Sequence, residues 1–187
     1  WSSSVLPTYS SQDSFFNESP LNLAVTLCTD GIPIYKSSAV SIWPVLLMVL
    51  NLPPILRQKA ENIILCGLWY GPNKPNARLL LDPVLKNLNN LYETGFMMHS
   101  SNVQTQLCKV KLVSAVFDLI ARALVLTMKQ FNGEYGCNVC LHPGKRLGNG
   151  SRVFLPGIDY PMRTQANILH DAQSAKISKQ SVNGVKG

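Results

Sequence analysis

Four side chains in this sequence have the type and setting for chemistry: Asp30, Asp118, Cys137 and Cys140. Each aspartate closes an apolar, strand-like run, and Asp30 is followed at once by Gly31. Open α/β sheets place their ligands at such C-terminal strand ends. Two carboxylates about 4 Å apart repel by roughly 4 kcal/mol at an effective dielectric near 20, so a converging pair calls for a shared proton or a cation. Mg2+ and Mn2+ take hard oxygen ligands and leave positions open for water and phosphate. Each aspartate also has a plainer reading. Asp30-Gly31 is a hairpin-turn dipeptide, and Asp118 is placed to cap the helix that follows it. Cys137-Asn138-Val139-Cys140, with His142 close behind, has the spacing of half a zinc site. His170, in a weakly amphipathic stretch, Thr164 to Ile177, offers a substitute zinc ligand or, as is more usual for a lone histidine, is an ordinary surface residue.

The elements that must carry these residues follow from periodicity. Leu21, Leu23, Val25 and Leu27 alternate as one apolar strand face, and Thr26, Cys28 and Asp30 share the other. Residues 38–50 form a second run, in which Pro44 forces a bulge or a later start because a central strand cannot spare a donor. Ile63 to Tyr70 is apolar on both faces, as expected of a strand covered on both sides. Asp82-Pro83 has the form of an N-cap and first helical residue. Val84, Leu85, Leu88, Leu91 and Tyr92 then line one helical face, and Gly95 is the stop. Val110 to Asp118 alternates as a strand. Ile120, Ala123, Leu124, Thr127, Met128 and Phe131 keep helical spacing directly after it. Strand, strand, strand, helix, strand, helix is the order of a ribonuclease-H-like α/β fold, whose first and fourth strands lie adjacent and parallel. That arrangement would set Asp30 and Asp118 side by side.

At 187 residues with 46% apolar content the chain can bury a real core. It opens with Trp1 rather than Met and reads as part of a longer protein. Seventeen basic and ten acidic residues give a net charge of +7. The excess is uneven: from Lys145 onward there are seven basic residues and only Asp159 and Asp171 against them. Such a tail fits a polyanion such as DNA, or is ordinary solvated charge. The apolar run Ile42 to Leu50 is too short to span a membrane and contains Pro44. Five cysteines, two of them in one C-x-x-C, suit a reducing compartment. The expected organisation is a linker over 1–20, a core over 21–131, and a basic insertion carrying the C-x-x-C over 132–187.

Thr29-Asp30-Gly31, Lys36-Ser37-Ser38, Ser41-Ile42-Trp43-Pro44-Val45 and Asn51-Leu52-Pro53-Pro54 follow one another in order. Phe117-Asp118, Ala121, Gly133 and Cys137-Asn138-Val139-Cys140 come later. Together they resemble the catalytic domain of the CACTA (En/Spm-like) DNA transposases. The one departure is Leu119-Ile120, where plant members carry Phe-Pro. The resemblance implies a truncated ribonuclease-H-like mixed sheet flanked by helices, with the start of a zinc-binding insertion. It implies that Asp30 and Asp118 are the first two of three acidic ligands (a DDE site) for two Mg2+ or Mn2+ ions, the third being a glutamate further downstream. It also implies that Cys137 and Cys140 bind structural Zn2+ with a downstream histidine pair. The implied activity is DNA strand cleavage and strand transfer in the nucleus, on transposon ends and target DNA, by a homo-oligomer, with this stretch inactive alone. A transposase-derived DNA-binding or interaction protein without catalysis is the alternative. An unrelated zinc-stabilised module is a third reading, which would bind one zinc and no DNA.

Overall fold

The computed structural model describes residues 14–35, 40–100, 103–148, 150, 152–155, 157 and 159–187. The Lys36-Ser37-Ser38 stretch and the first thirteen residues of the expected linker lie outside these. Within the chain, Trp1–Val116 and Phe117–Gly187 form two compact units.

The first unit is a mixed sheet built on β1 (Leu23–Thr29). Ala24, Val25, Thr26 and Leu27 are all buried, and β1 is paired along both edges. On one edge it runs antiparallel to β3 (Ser41–Val49), with Val25↔Val49 through Thr29↔Val45 in register. On the other it runs parallel to β7 (Val110–Val116), from Leu23↔Val110 to Cys28↔Val116. β3 carries β4 (Ile63–Gly71) along its second edge. The short β2 (Ile32–Pro33) pairs with β3 just beyond the end of β1. The class expected from the sequence therefore holds: an α/β mixed sheet in the order β4-β3-β1-β7, flanked by helices.

A parallel pair needs a crossover. It is supplied by α3 (Ala77–Glu93), which follows α1 (Ser14–Glu18) and α2 (Pro54–Arg57) and buries Leu80, Leu81, Val84 and Leu88. Its start is Asn76, whose side chain accepts the Arg78 and Leu79 amides at 3.0 and 3.4 Å, not the expected Asp82-Pro83. Pro83 lies inside the helix, where it removes a ladder donor. The expected stop is confirmed at Gly95, with φ of +69° and room for no Cβ beside the Cys108 carbonyl. A hairpin of β5 (Phe96–Ser100) and β6 (Val103–Cys108) then returns the chain to β7. β4 departs from expectation too. It is an edge strand, not one covered on both sides, and Leu65 and Tyr70 are 59% and 67% exposed.

Polar side chains lock the start of β1. Buried Asn22 donates to the Phe15 carbonyl at 2.6 Å and accepts the Lys109 amide at 3.0 Å. Asn51 accepts the Ala24 amide at 2.7 Å and donates to the Asn22 carbonyl at 3.1 Å. Halfway along, Ser114 Oγ donates to Thr26 Oγ1 at 2.8 Å, tying β7 to β1 through side chains.

The second unit opens with α4 (Leu119–Val125). The helical apolar spacing continues to Phe131, but the helix ends six residues earlier, and Thr127 turns left-handed at φ of +50°. That turn sends Met128 into the core, where it bridges Val185, and leaves Phe131 exposed. β8 (Lys145–Arg146) pairs with β9 (Arg152–Val153), and α5 (Gln165–Ser178) begins at a Thr164 cap. Glu134 pairs with Arg152 at 3.4 Å.

Trp43 is 3% exposed, and a Cβ added at Gly31 would stand 2.5 Å from its Cζ2 atom. Gly31→Ala must displace a buried indole and should cost about 1–3 kcal/mol, the usual range for overpacking. Urea unfolding followed by Trp fluorescence measures this, and a loss below about 0.5 kcal/mol, the range of an ordinary surface change, would contradict the packing described.

Candidate functional site

Asp30 is exposed immediately after β1, and its Oδ1 accepts the Gly31 amide at 2.7 Å. The hairpin reading of Asp30-Gly31 does not hold. β1 and β2 are successive segments on the same edge of β3, and the dipeptide is the break between them. Carried through the break, the register sets Asp30 against Pro44 and Gly31 against Trp43. The proline that looked awkward inside β3 thus falls where the ladder is interrupted. One residue earlier, Thr29 Oγ1 is buried with no partner among the described residues, a polar atom that a bound water or ion would satisfy.

Asp118 follows β7 and does cap α4: its Oδ1 accepts the Ala121 amide at 2.6 Å, and its carbonyl accepts the Arg122 amide at 2.8 Å. One carboxylate oxygen is used in this way, and an aspartate offers more acceptor positions than one cap consumes. The last register pair of the parallel strands is Cys28↔Val116. Asp30 and Asp118 each come two residues later in the chain.

Cys137 and Cys140 are brought together, with their sulfurs 3.5 Å apart. A disulfide would need about 2.05 Å, whereas two ligands at 2.3 Å on a tetrahedral zinc lie ~3.8 Å apart. The amides of Val139 and Cys140 both donate to Cys137 Sγ at 3.4 Å. The loop is held by an isolated antiparallel bridge between Cys140 and Met162, with Leu141 N donating to the Pro161 carbonyl and Arg163 N to the Val139 carbonyl, both at 2.9 Å. The donor set thus suits half of a zinc site. Among the described residues, no group of three or more His, Cys, Asp or Glu could hold a metal ion. His142 is occupied elsewhere. Its Nδ1 accepts the Gly144 amide at 2.8 Å, its Nε2 contacts the Leu155 carbonyl at 3.3 Å, and its ring lies 4.2 Å from that of Tyr160. His170 is exposed, 3.7 Å from Asp171.

The two thiols are electrostatically unequal. Burial alone would raise Cys137, but the Cys140 and Val139 amides, the Cys140 thiol and the Arg163 charge together bring it below the usual thiol range. Burial raises Cys140, and the neighbouring Cys137 raises it further. Burial likewise raises Cys28, Cys66 and Cys108, although only Cys108 lies in the core and Cys28 and Cys66 are half-buried. Arg163 was not singled out from the sequence. Its partners are main-chain carbonyls of distant residues, and no local spacing marks them.

Cys137 should therefore be alkylated by iodoacetamide ahead of Cys140 and the other three cysteines at neutral pH, since the thiolate is the nucleophile. Peptide mass spectrometry of a time course decides it, and faster labelling at Cys140 would contradict the assignment. Among known proteins, the family model described as transposase family tnp2 matches residues 5–168. No curated protein matches the chain. With most of its length covered by that one model, the chain belongs to the tnp2 family of transposases.

Proposed function

We propose that this chain supplies the first two metal-binding carboxylates, Asp30 and Asp118, of a DDE-type, CACTA-like DNA transposase with a ribonuclease-H-like core. The observation that carries the reading is the equal two-residue offset of both aspartates from the last register pair of one parallel strand pair. Membership of a transposase family supports DNA as the partner, and in the proposed scheme the action is nuclear, on transposon ends and target, by a homo-oligomer. Two Mg2+ or Mn2+ ions, when bound, would activate a water or 3′-hydroxyl and stabilise the leaving oxygen at a DNA phosphodiester.

The chain's own residues have distinct tasks in this scheme. The Asp30 carboxylate is presented by a strand end whose next residue is packed against Trp43. The Asp118 carboxylate is oriented by its bond to the Ala121 amide, which leaves its second oxygen for a cation. Cys137 and Cys140 supply half of a structural Zn2+ site in the second unit. Lys176, Lys179 and Lys186 line a cavity of about 400 Å3 there, a positive surface suited to backbone phosphates. That basic surface would serve equally in a transposase-derived protein that binds DNA without cutting it, so catalysis is the discriminating property.

Nicking of supercoiled plasmid by the protein carrying this chain is the test. Mg2+-dependent nicking should fall on the order of 100-fold or more in Asp30→Asn and Asp118→Asn, because each removes charge from a metal ligand. Asp118→Asn should keep the helix cap, whereas Asp118→Ala should also lose about 0.5–2 kcal/mol of stability. Nicking left intact in both Asn variants would overturn the metal-ligand roles. An absence of nicking together with retained DNA binding would favour the non-catalytic alternative.

A further inference from the structure

Arg163 stands at the point where the second unit closes on its C-x-x-C loop. Nε donates to the Cys137 carbonyl at 2.9 Å, and Nη2 donates to the Tyr135 carbonyl at 2.9 Å and the Asn183 carbonyl at 2.7 Å. Nη1 is buried and has no partner among the described residues. Burying a guanidinium is costly unless its donors are met. Here three carbonyls from two distant stretches meet most of them. Asn183 is itself fixed: at φ of +48° it donates from Nδ2 to both oxygens of Asp171, at 3.2 Å each. Asp171 is 5% exposed, so its charge faces that of Arg163 across Asn183 inside the unit.

Two of the three carbonyls belong to the loop that bears the thiols, and one is that of Cys137. The planar fork of an arginine can hold several acceptors at fixed angles, which the single ammonium of a lysine cannot. We propose that Arg163 is the positioning residue of the Cys137/Cys140 pair: by pinning the Tyr135 and Cys137 carbonyls against Asn183, it holds the loop in the form that turns both sulfurs towards one metal ion. The inference rests on the zinc reading above for the identity of that ion, and on the hydrogen bonds alone for the positioning. Its consequence is that the half-site is preformed before metal arrives, and that its precision is set from a residue that binds no metal.

The test compares wild type, Arg163→Gln and Arg163→Lys in the protein carrying this chain, so that any downstream zinc ligands are present. Zinc affinity is measured by chelator competition, thiolate ligation by the charge-transfer band of the Co2+ form, and loop order by amide exchange of the metal-free protein. In Arg163→Gln, zinc affinity should fall 10–100-fold, the usual effect of losing a residue that orients a ligand, with a weaker thiolate band. The amides of Val139 and Cys140 should exchange at least about tenfold faster, while those of Val25 and Leu27 in β1 do not change. Arg163→Lys should recover only part of each, and it decides the matter by the same readouts if the Gln variant does not fold. Wild-type affinity and wild-type exchange in the Gln variant would overturn the proposal. If the wild type takes up no zinc but the variants still loosen Val139 and Cys140, the zinc reading fails and the positioning stands.

Discussion

The parallel pairing of β1 with β7 joins side chains 88 residues apart along the chain, as in the bond between Thr26 and Ser114. Closing a flexible loop of that length costs about 4 kcal/mol by the logarithmic rule. Nothing local offsets it. The crossover helix does: four buried residues, Leu80, Leu81, Val84 and Leu88, contribute about 1.5–3 kcal/mol each when fully removed from water. Asn22 then fixes the register by holding the Lys109 amide, one residue before β7 begins. A one-residue slip would break that bond and move every β7 side chain to the opposite face. The equal offset of Asp30 and Asp118 from the last register pair is a consequence of this pairing, so the proposed chemistry depends on a polar lock at the far end of the strands.

In the second unit the same logic runs through polar groups instead of apolar ones. Ala121, Ala123, Met128, Ala175 and Val185 make only a small core. The hydrogen-bonded network of Arg163, Asn183 and Asp171 lies in the same unit. Small cores gain most from cross-links or metals, which is why a half-formed thiol site in this unit is physically reasonable as well as chemically suggestive.

Much of this was legible from residue order. β1, β3, β7 and the crossover helix follow from periodicity, and both aspartates stand out as strand-end carboxylates. The C-x-x-C marks itself by spacing. What was misread had identifiable causes. Two cap signals compete at the start of α3, and the helix takes Asn76 because Leu80 and Leu81 bury apolar surface that a start at Asp82 would forgo. β4 carries an apolar run on both faces although it is an edge strand, and periodicity cannot tell the two situations apart. α4 stops early because Met128 pairs with Val185, a contact from the far end of the unit. Gly31 against Trp43, and Arg163 against three carbonyls, are invisible to spacing because each depends on a register or a loop closure that only the folded chain supplies.

The central claim is that Asp30 and Asp118 hold a divalent cation together. Mn2+ binding to the purified chain, followed by electron paramagnetic resonance, addresses it directly and needs no DNA substrate. The expected result is saturable binding that Asp30→Asn and Asp118→Asn each weaken strongly, with the double variant little worse than either single one, as befits one shared site. Binding that survives both substitutions, or weakens additively as for two independent carboxylates, would contradict it.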